Sequence, residues 1–195
     1  MAIDIFNPLK DLQGNKLRGA NWYRNAVSLI TDKSTPSQLF KSGKLLGRPS
    51  AGRMSLFFYD PKTKARLPFY DTFPLVLPLE PIKGGFLGLN FHYLPYGARF
   101  KLLQDIQTYA SNAKFDKSTK IQADYSSLKG NKYLKPTIKK YLYSQVRSSF
   151  LRIDVDEMAL ACYLPVAQFK GSTLGRVFAA CLLYTSDAAD DGSRG

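Results

Sequence analysis

The sequence predicts an α+β fold, a small antiparallel β-meander over about residues 53–95 covered by helices from both flanks. Three observations predict it. Three apolar runs, Met54–Tyr59, Phe73–Leu79 and Phe86–Tyr93, are each bounded by the Gly, Pro, Asp and Lys clusters that end strands. The connection DPKTKARLP between the first two is too long for a two-residue hairpin and too short for a crossover helix, so it joins antiparallel neighbours. On both sides of the meander the apolar residues change to helical spacing.

Taken in order, residues 1–20 show little apolar period and are expected to form a flexible arm that orders on a partner, ahead of a single domain over residues 21–180. Trp22, Ala26, Val27 and Ile30 recur at helical spacing behind Asn21. Thr35 as N-cap, Pro36 in the first turn and Gly43 past the end bound a second short helix. Within the meander, Pro74 and Pro78 each remove a backbone donor, which suits an edge or bulged strand. Gly84-Gly85 supplies the next turn, and Gly88 marks a bulge or a close backbone approach. Phe100, Leu103, Ile106 and Ala110 share one face of a helix over residues 97–111. Pro136 opens a further helix with Ile138, Tyr141, Leu142 and Gln145 inward and Lys139, Lys140 and Arg147 outward. Phe150, Leu151 and Ile153 extend it or start a short strand. Asp154 and Asp156 then offer N-cap chemistry for a helix through Met158–Cys162 that Pro165 stops.

Charge is the strongest global signal. The 195 residues carry a net charge of +13, with a pI near 9.7, an excess that attracts polyanions. It is concentrated in three places. The connector SGKLLGRPSAGR sets Lys44, Arg48 and Arg53 among glycines, so its backbone can approach a phosphate chain; an ordinary loop explains the same composition. Lys62, Lys64 and Arg66 stand at the tip of the first meander loop. Residues 113–140 hold eight lysines, Lys129, Lys132, Lys135, Lys139 and Lys140 among them, interleaved with Phe115, Tyr125 and Tyr133. That mixture suits phosphates and stacked bases, or a solvated insertion whose aromatics anchor it.

Catalytic constellations are poor. One histidine, His92, and two cysteines, Cys162 and Cys181, cannot build a zinc site of three or four such ligands, and so few cysteines exclude a disulfide framework. His92 between two aromatics reads as structural, and Cys162 among apolar neighbours as an inert thiol, with a Cys162–His92 nucleophilic pair as the alternative. Asp60-Pro61-Lys62, with Asp71 and Glu80 nearby, offers the carboxylate and lysine pattern of a Mg²⁺ nuclease, but Asp60-Pro61 is also a turn initiator. There is no P-loop and no dinucleotide fingerprint, and no cofactor is expected. No apolar run approaches the roughly 20 residues of a membrane span, so no membrane partner is expected.

The run FFYDPKTKARLPFYDTFPLVLPLEP, the following GGFLGLNFHYLP, and the later YLYSQVRSSFLRI and LACYLPVAQF resemble the DNA end protector or head-completion proteins of T-even-type myoviruses and their environmental relatives, over roughly residues 20 to 175. The resemblance implies a non-enzymatic virion protein, made in the bacterial host's cytoplasm, that binds and protects the ends of packaged double-stranded DNA and meets other head or neck proteins. It brings no catalytic motif. Two other readings stay open: a structural neck protein whose basic face binds an acidic protein surface, and a Mg²⁺-dependent nuclease using Asp60 and Lys62. The last fifteen residues, CLLYTSDAADDGSRG, turn abruptly acidic and resemble translated sequencing-adapter read-through, so a non-native tail is expected over residues 181–195. Without it, 27 basic and 12 acidic residues leave +15.

Overall fold

The computed structural model describes residues 4–14, 16, 18–41, 44–109 and 134–181. In chain order the elements are α1 (Asn7–Gln13), α2 (Ala20–Ser28), α3 (Pro36–Lys41), β1 (Leu45–Leu46), β2 (Ser55–Leu56), β3 (Tyr70–Asp71), β4 (Leu75–Ile82), β5 (Gly85–Asn90), α4 (Tyr96–Tyr109), β6 (Ile138–Leu142), β7 (Phe150–Arg152), α5 (Met158–Tyr163), β8 (Phe169–Lys170) and α6 (174–181). The fold is α+β: a six-stranded antiparallel sheet in the order β1-β7-β2-β4-β5-β6, and a two-stranded ribbon of β3 with β8.

The meander is the middle of this sheet. β4 and β5 form a hairpin turned by Lys83-Gly84, where Gly84 takes φ 76°, a conformation that favours glycine. The proline-rich β4 does carry a bulge, between Pro78 and Glu80, but it lies between β2 and β5 rather than at an edge. Pro78 and Pro81 cost β4 two donors, and the register shift accommodates part of that loss.

Past β2 and β6 the sheet closes toward a small barrel. The chain leaving β6 bends through a 3₁₀ turn, Tyr143–Gln145, and its continuation pairs with the end of the first apolar run. Tyr59 bridges Val146, Asp60 N–H donates to the Gln145 carbonyl at 3.0 Å, and Arg147 N–H donates to that of Phe58 at 2.8 Å. β6 and β7 are thus two arms of one bent strand, the first on β5 and the second on β2.

Strand alternation then separates two cores. Phe57, Tyr59, Val76, Phe86, Tyr141 and Phe150 point inward as an aromatic cluster. The Phe57 ring centroid lies 4.8 Å from Phe150 and 5.3 Å from Tyr141, and each such pair adds about 0.5–1.5 kcal/mol beyond its buried area. Gly88 lies on this inner face, where a Cβ would collide with Val76 Cγ1, so the strand tolerates no side chain there. Leu56, Leu75, Leu77, Leu89 and Leu151 face the other way, into the main core with residues of α1 to α5.

Two expectations are corrected. The arm expected over residues 1–20 contains α1, whose Leu9 is buried along with Ile5 and Phe6. The helix expected after Pro136 is β6: Ile138, Tyr141, Leu142 and Gln145 fit a helical face, but pairing with β5 decides the state, putting Ile138 against the main core and Tyr141 in the aromatic one. The predicted first helix appears as α2, but it starts at Ala20 behind Gly19, with Asn21 inside it rather than capping it; the helix after Thr35 appears as α3, and Thr35 meets Gln38 in reciprocal capping bonds. The helix expected over 97–111 appears as α4 through Tyr109, with Phe100, Leu103 and Ile106 buried; Ala110 lies outside the described residues. Cys181, where a non-native tail was expected to begin, is buried beside Tyr93 and Val177. Among the described residues no helix is long and apolar enough to cross a membrane.

Candidate nucleic-acid interface

The bend between β6 and β7 gathers cations from four separate stretches. Tyr143 opens it, and its N–H donates to the Gly84 carbonyl at 3.0 Å, which sets the bend beside exposed Lys83 at the β4–β5 tip. Arg48, exposed after β1, holds its guanidinium 5.9 Å from the centre of the Tyr143 ring. Arg147 leaves the bend exposed, its Nη1 donating to the Ser144 carbonyl at 3.0 Å. The Asp60–Gln145 bond brings in the loop that carries Lys62, Lys64 and Arg66, all exposed. Lys140 is exposed on β6, the strand that leads into the bend. The acidic side chains on these stretches are Asp60 and Glu80.

Asp60 ties two cations of this surface together. Its carboxylate accepts from Lys64 Nζ at 2.8 Å and stands 3.8 Å from Arg147 Nη2. The Lys64 hydrogen bond holds the carboxyl below the ordinary aspartate range. Asp71, which a nuclease reading would bring to Asp60, is buried elsewhere. It accepts from His92 Nδ1 at 2.8 Å, from Asn90 Nδ2 at 3.2 Å and from the Phe73 N–H at 3.0 Å. Asp60, Asp71 and Glu80 therefore share no metal-sized cluster among the described residues.

Other candidates are placed differently. Lys44 does not face solvent with Arg48. Its ammonium bonds Glu157, and lies 2.9 Å from Asp154 and 3.0 Å from Asp4. Burial works to lower its pKa, but the hydrogen bonds to Glu157 and Asp154 win and raise it. Lys10 lies 2.9 Å from the same Glu157 and 3.7 Å from Asp156, and Arg152 2.8 Å from Asp154. Asp154, Asp156 and Glu157 are close enough to hold a metal ion, but two ammonium groups already sit among them. The capping expected at Asp154 is present: Glu157 accepts its N–H at 2.9 Å.

Lys139 turns its ammonium over the Tyr93 ring, 4.2 Å from the centre, and burial lowers its pKa. Lys135 is exposed at the far end of β6 from the bend, and Arg53 is half-buried before β2. Lys129 and Lys132 lie outside the described residues. Burial pushes the Cys162 thiol up to about 12, which keeps it protonated at neutral pH and unsuited to nucleophilic attack.

Sequence reasoning misses three residues of this surface. Lys83 and Tyr143 are not singled out by the sequence, and Arg147 reads as the solvated side of the helix expected after Pro136. A signal does exist, because Tyr143 sits between Lys140 and Arg147, but only the bent strand makes one surface of them.

A family model described as the phage T4 terminal DNA protecting protein matches residues 11–186. The chain belongs to this family. The match spans every stretch that builds the basic bend, and membership in a phage DNA-protecting family agrees with a surface of clustered cations around one aromatic ring. No curated protein and no solved structure matches the chain.

Proposed function

We propose that this protein is a non-enzymatic virion component that sits on the ends of packaged double-stranded DNA and shields them from exonucleases by cover and phosphate neutralisation. The basic bend carries the reading. Arg48, Lys62, Lys64, Arg66, Lys83, Lys140 and Arg147 are exposed on the bend or on stretches that meet it through the Tyr143–Gly84 and Asp60–Gln145 bonds, the β5–β6 pairing and the Arg48–Tyr143 contact, so placing their charges against phosphates costs little chain entropy. Shielding needs no chemistry, since an exonuclease must reach the terminal nucleotide and a bound protein denies it that space. The family's description as a terminal DNA protecting protein supports the end as the target.

The test is a mobility-shift comparison of linear duplex with the same duplex in covalently closed form at one salt concentration, paired with exonuclease digestion of end-labelled DNA. Preferential binding of the linear form, with the label retained, is expected. Equal binding of both forms would overturn the end-specific reading. Absence of binding even at low salt would turn the basic surface toward an acidic head or neck protein, and Mg²⁺-dependent loss of label by the protein itself would establish a nuclease.

A further inference from the structure

We infer that Tyr143 is a stacking platform for the terminal base pair, so that the bend recognises the end of a duplex by its exposed base face and not by its phosphates alone. This rests on the proposed function and names the group that would distinguish an end from the rest of the DNA. Phosphates run along the whole duplex and cannot mark a terminus, whereas the flat face of a base pair is open to contact only where stacking stops. Among the described residues Tyr143 is the aromatic side chain left exposed, at 38%. The other rings of this region, Phe57, Phe86 and Tyr141, are buried in the aromatic core.

The ring is held in place for such a task. Phe86 supports it at 5.9 Å between centroids, tilted by 40°, and the Tyr143–Gly84 backbone bond fixes the turn that carries it. Arg48 lies over it at 5.9 Å, near the outer limit of a cation–π contact, on an exposed and long-stemmed side chain. A terminal base replaces this loose cover, and the released guanidinium turns to the terminal phosphates together with Lys83. Base and phosphate of one nucleotide are then read by adjacent side chains, the combination used on single strands.

Affinity for a blunt open duplex is measured against the same duplex sealed at both ends by hairpin loops, at fixed salt, for the wild type, Tyr143→Ala and Tyr143→Phe. Wild type and Tyr143→Phe favour the open duplex. Tyr143→Ala loses that preference about tenfold or more, the scale of one base–aromatic stack, with its salt dependence unchanged. Tyr143→Phe keeps the ring on Phe86 and should melt with the wild type; Tyr143→Ala gives up that contact, so its folding is checked by a thermal melt and affinities are compared below its Tm. A wild type that favours open ends while Tyr143→Ala favours them equally would sink the platform and leave the end-binding reading standing. A wild type with no preference would remove both.

Discussion

Lys44 gives the sharpest test, because sequence and structure assign it opposite work. In a phosphate-binding connector, Lys44→Ala would weaken DNA binding and leave stability alone. In the structure its ammonium joins Asp4, Asp154 and the fully buried Glu157, so the same change leaves carboxylates short of a partner. Removing one member of a buried ion pair costs about 3–5 kcal/mol. Here Lys10 remains on Glu157 at 2.9 Å and the Lys44 side chain keeps 22% exposure, so about 2–3 kcal/mol is expected. For a chain of this size that lowers Tm by roughly 5–10 °C.

The pH dependence adds a second readout. Burial favours protonated Asp154, but Lys44 holds its pKa below the ordinary value, so its contribution is present at neutral pH and is lost as pH falls through that depressed value. The raised Lys44 pKa keeps the other half of the interaction intact up to lysine's ordinary 10.5, above which it is lost as pH rises through the raised value. The Tm gap between wild type and variant should therefore be flat from about pH 5 to 10 and narrow in stronger acid. Thermal melts by circular dichroism across that range measure it. A variant that melts within about 1 °C of wild type while binding DNA less well would refute the assignment.

Three other outcomes are expected. Gly88→Ala drives a methyl into Val76 inside the aromatic core and should cost about 1–3 kcal/mol by urea unfolding, whereas a simple loop glycine would show no such loss. His92, the one histidine in the chain, is fully buried, and burial lowers its pKa from 6.5 despite Asp71. Stability should decline as pH falls below about 6.5, because the unfolded imidazole takes a proton that the folded one resists, and His92→Asn should flatten that slope. For DNA, log K should fall linearly with log salt, and replacing Arg48 and Arg147 by Ala should reduce the slope by roughly 0.9 for each phosphate that is no longer neutralised. Replacing Lys44 should leave the slope unchanged.

What the sequence determined by itself was local. Thr35, Pro36 and Gln38 set the start of α3, because a cap and a fixed φ act within one turn. Gly84 turned the hairpin and the apolar runs named β2, β4 and β5, because alternation and turn chemistry need only neighbouring residues. The net charge pointed to a polyanion before any contact was known. Only the tertiary structure decided what depended on distant partners. Tyr141 lies on a strand because β5, some fifty residues earlier, supplies the hydrogen bonds that its helical spacing would otherwise have sought within the segment. Asn7–Gln13 fold as α1 because Lys10 reaches Glu157 and Leu9 reaches the core, and neither partner is near in sequence. Lys44 and Arg48 are four residues apart, yet one neutralises buried acids and the other caps an exposed ring. Composition gives both the same charge; the fold alone sets what each charge faces, since electrostatic energy depends on the neighbours and the solvent that packing leaves around it.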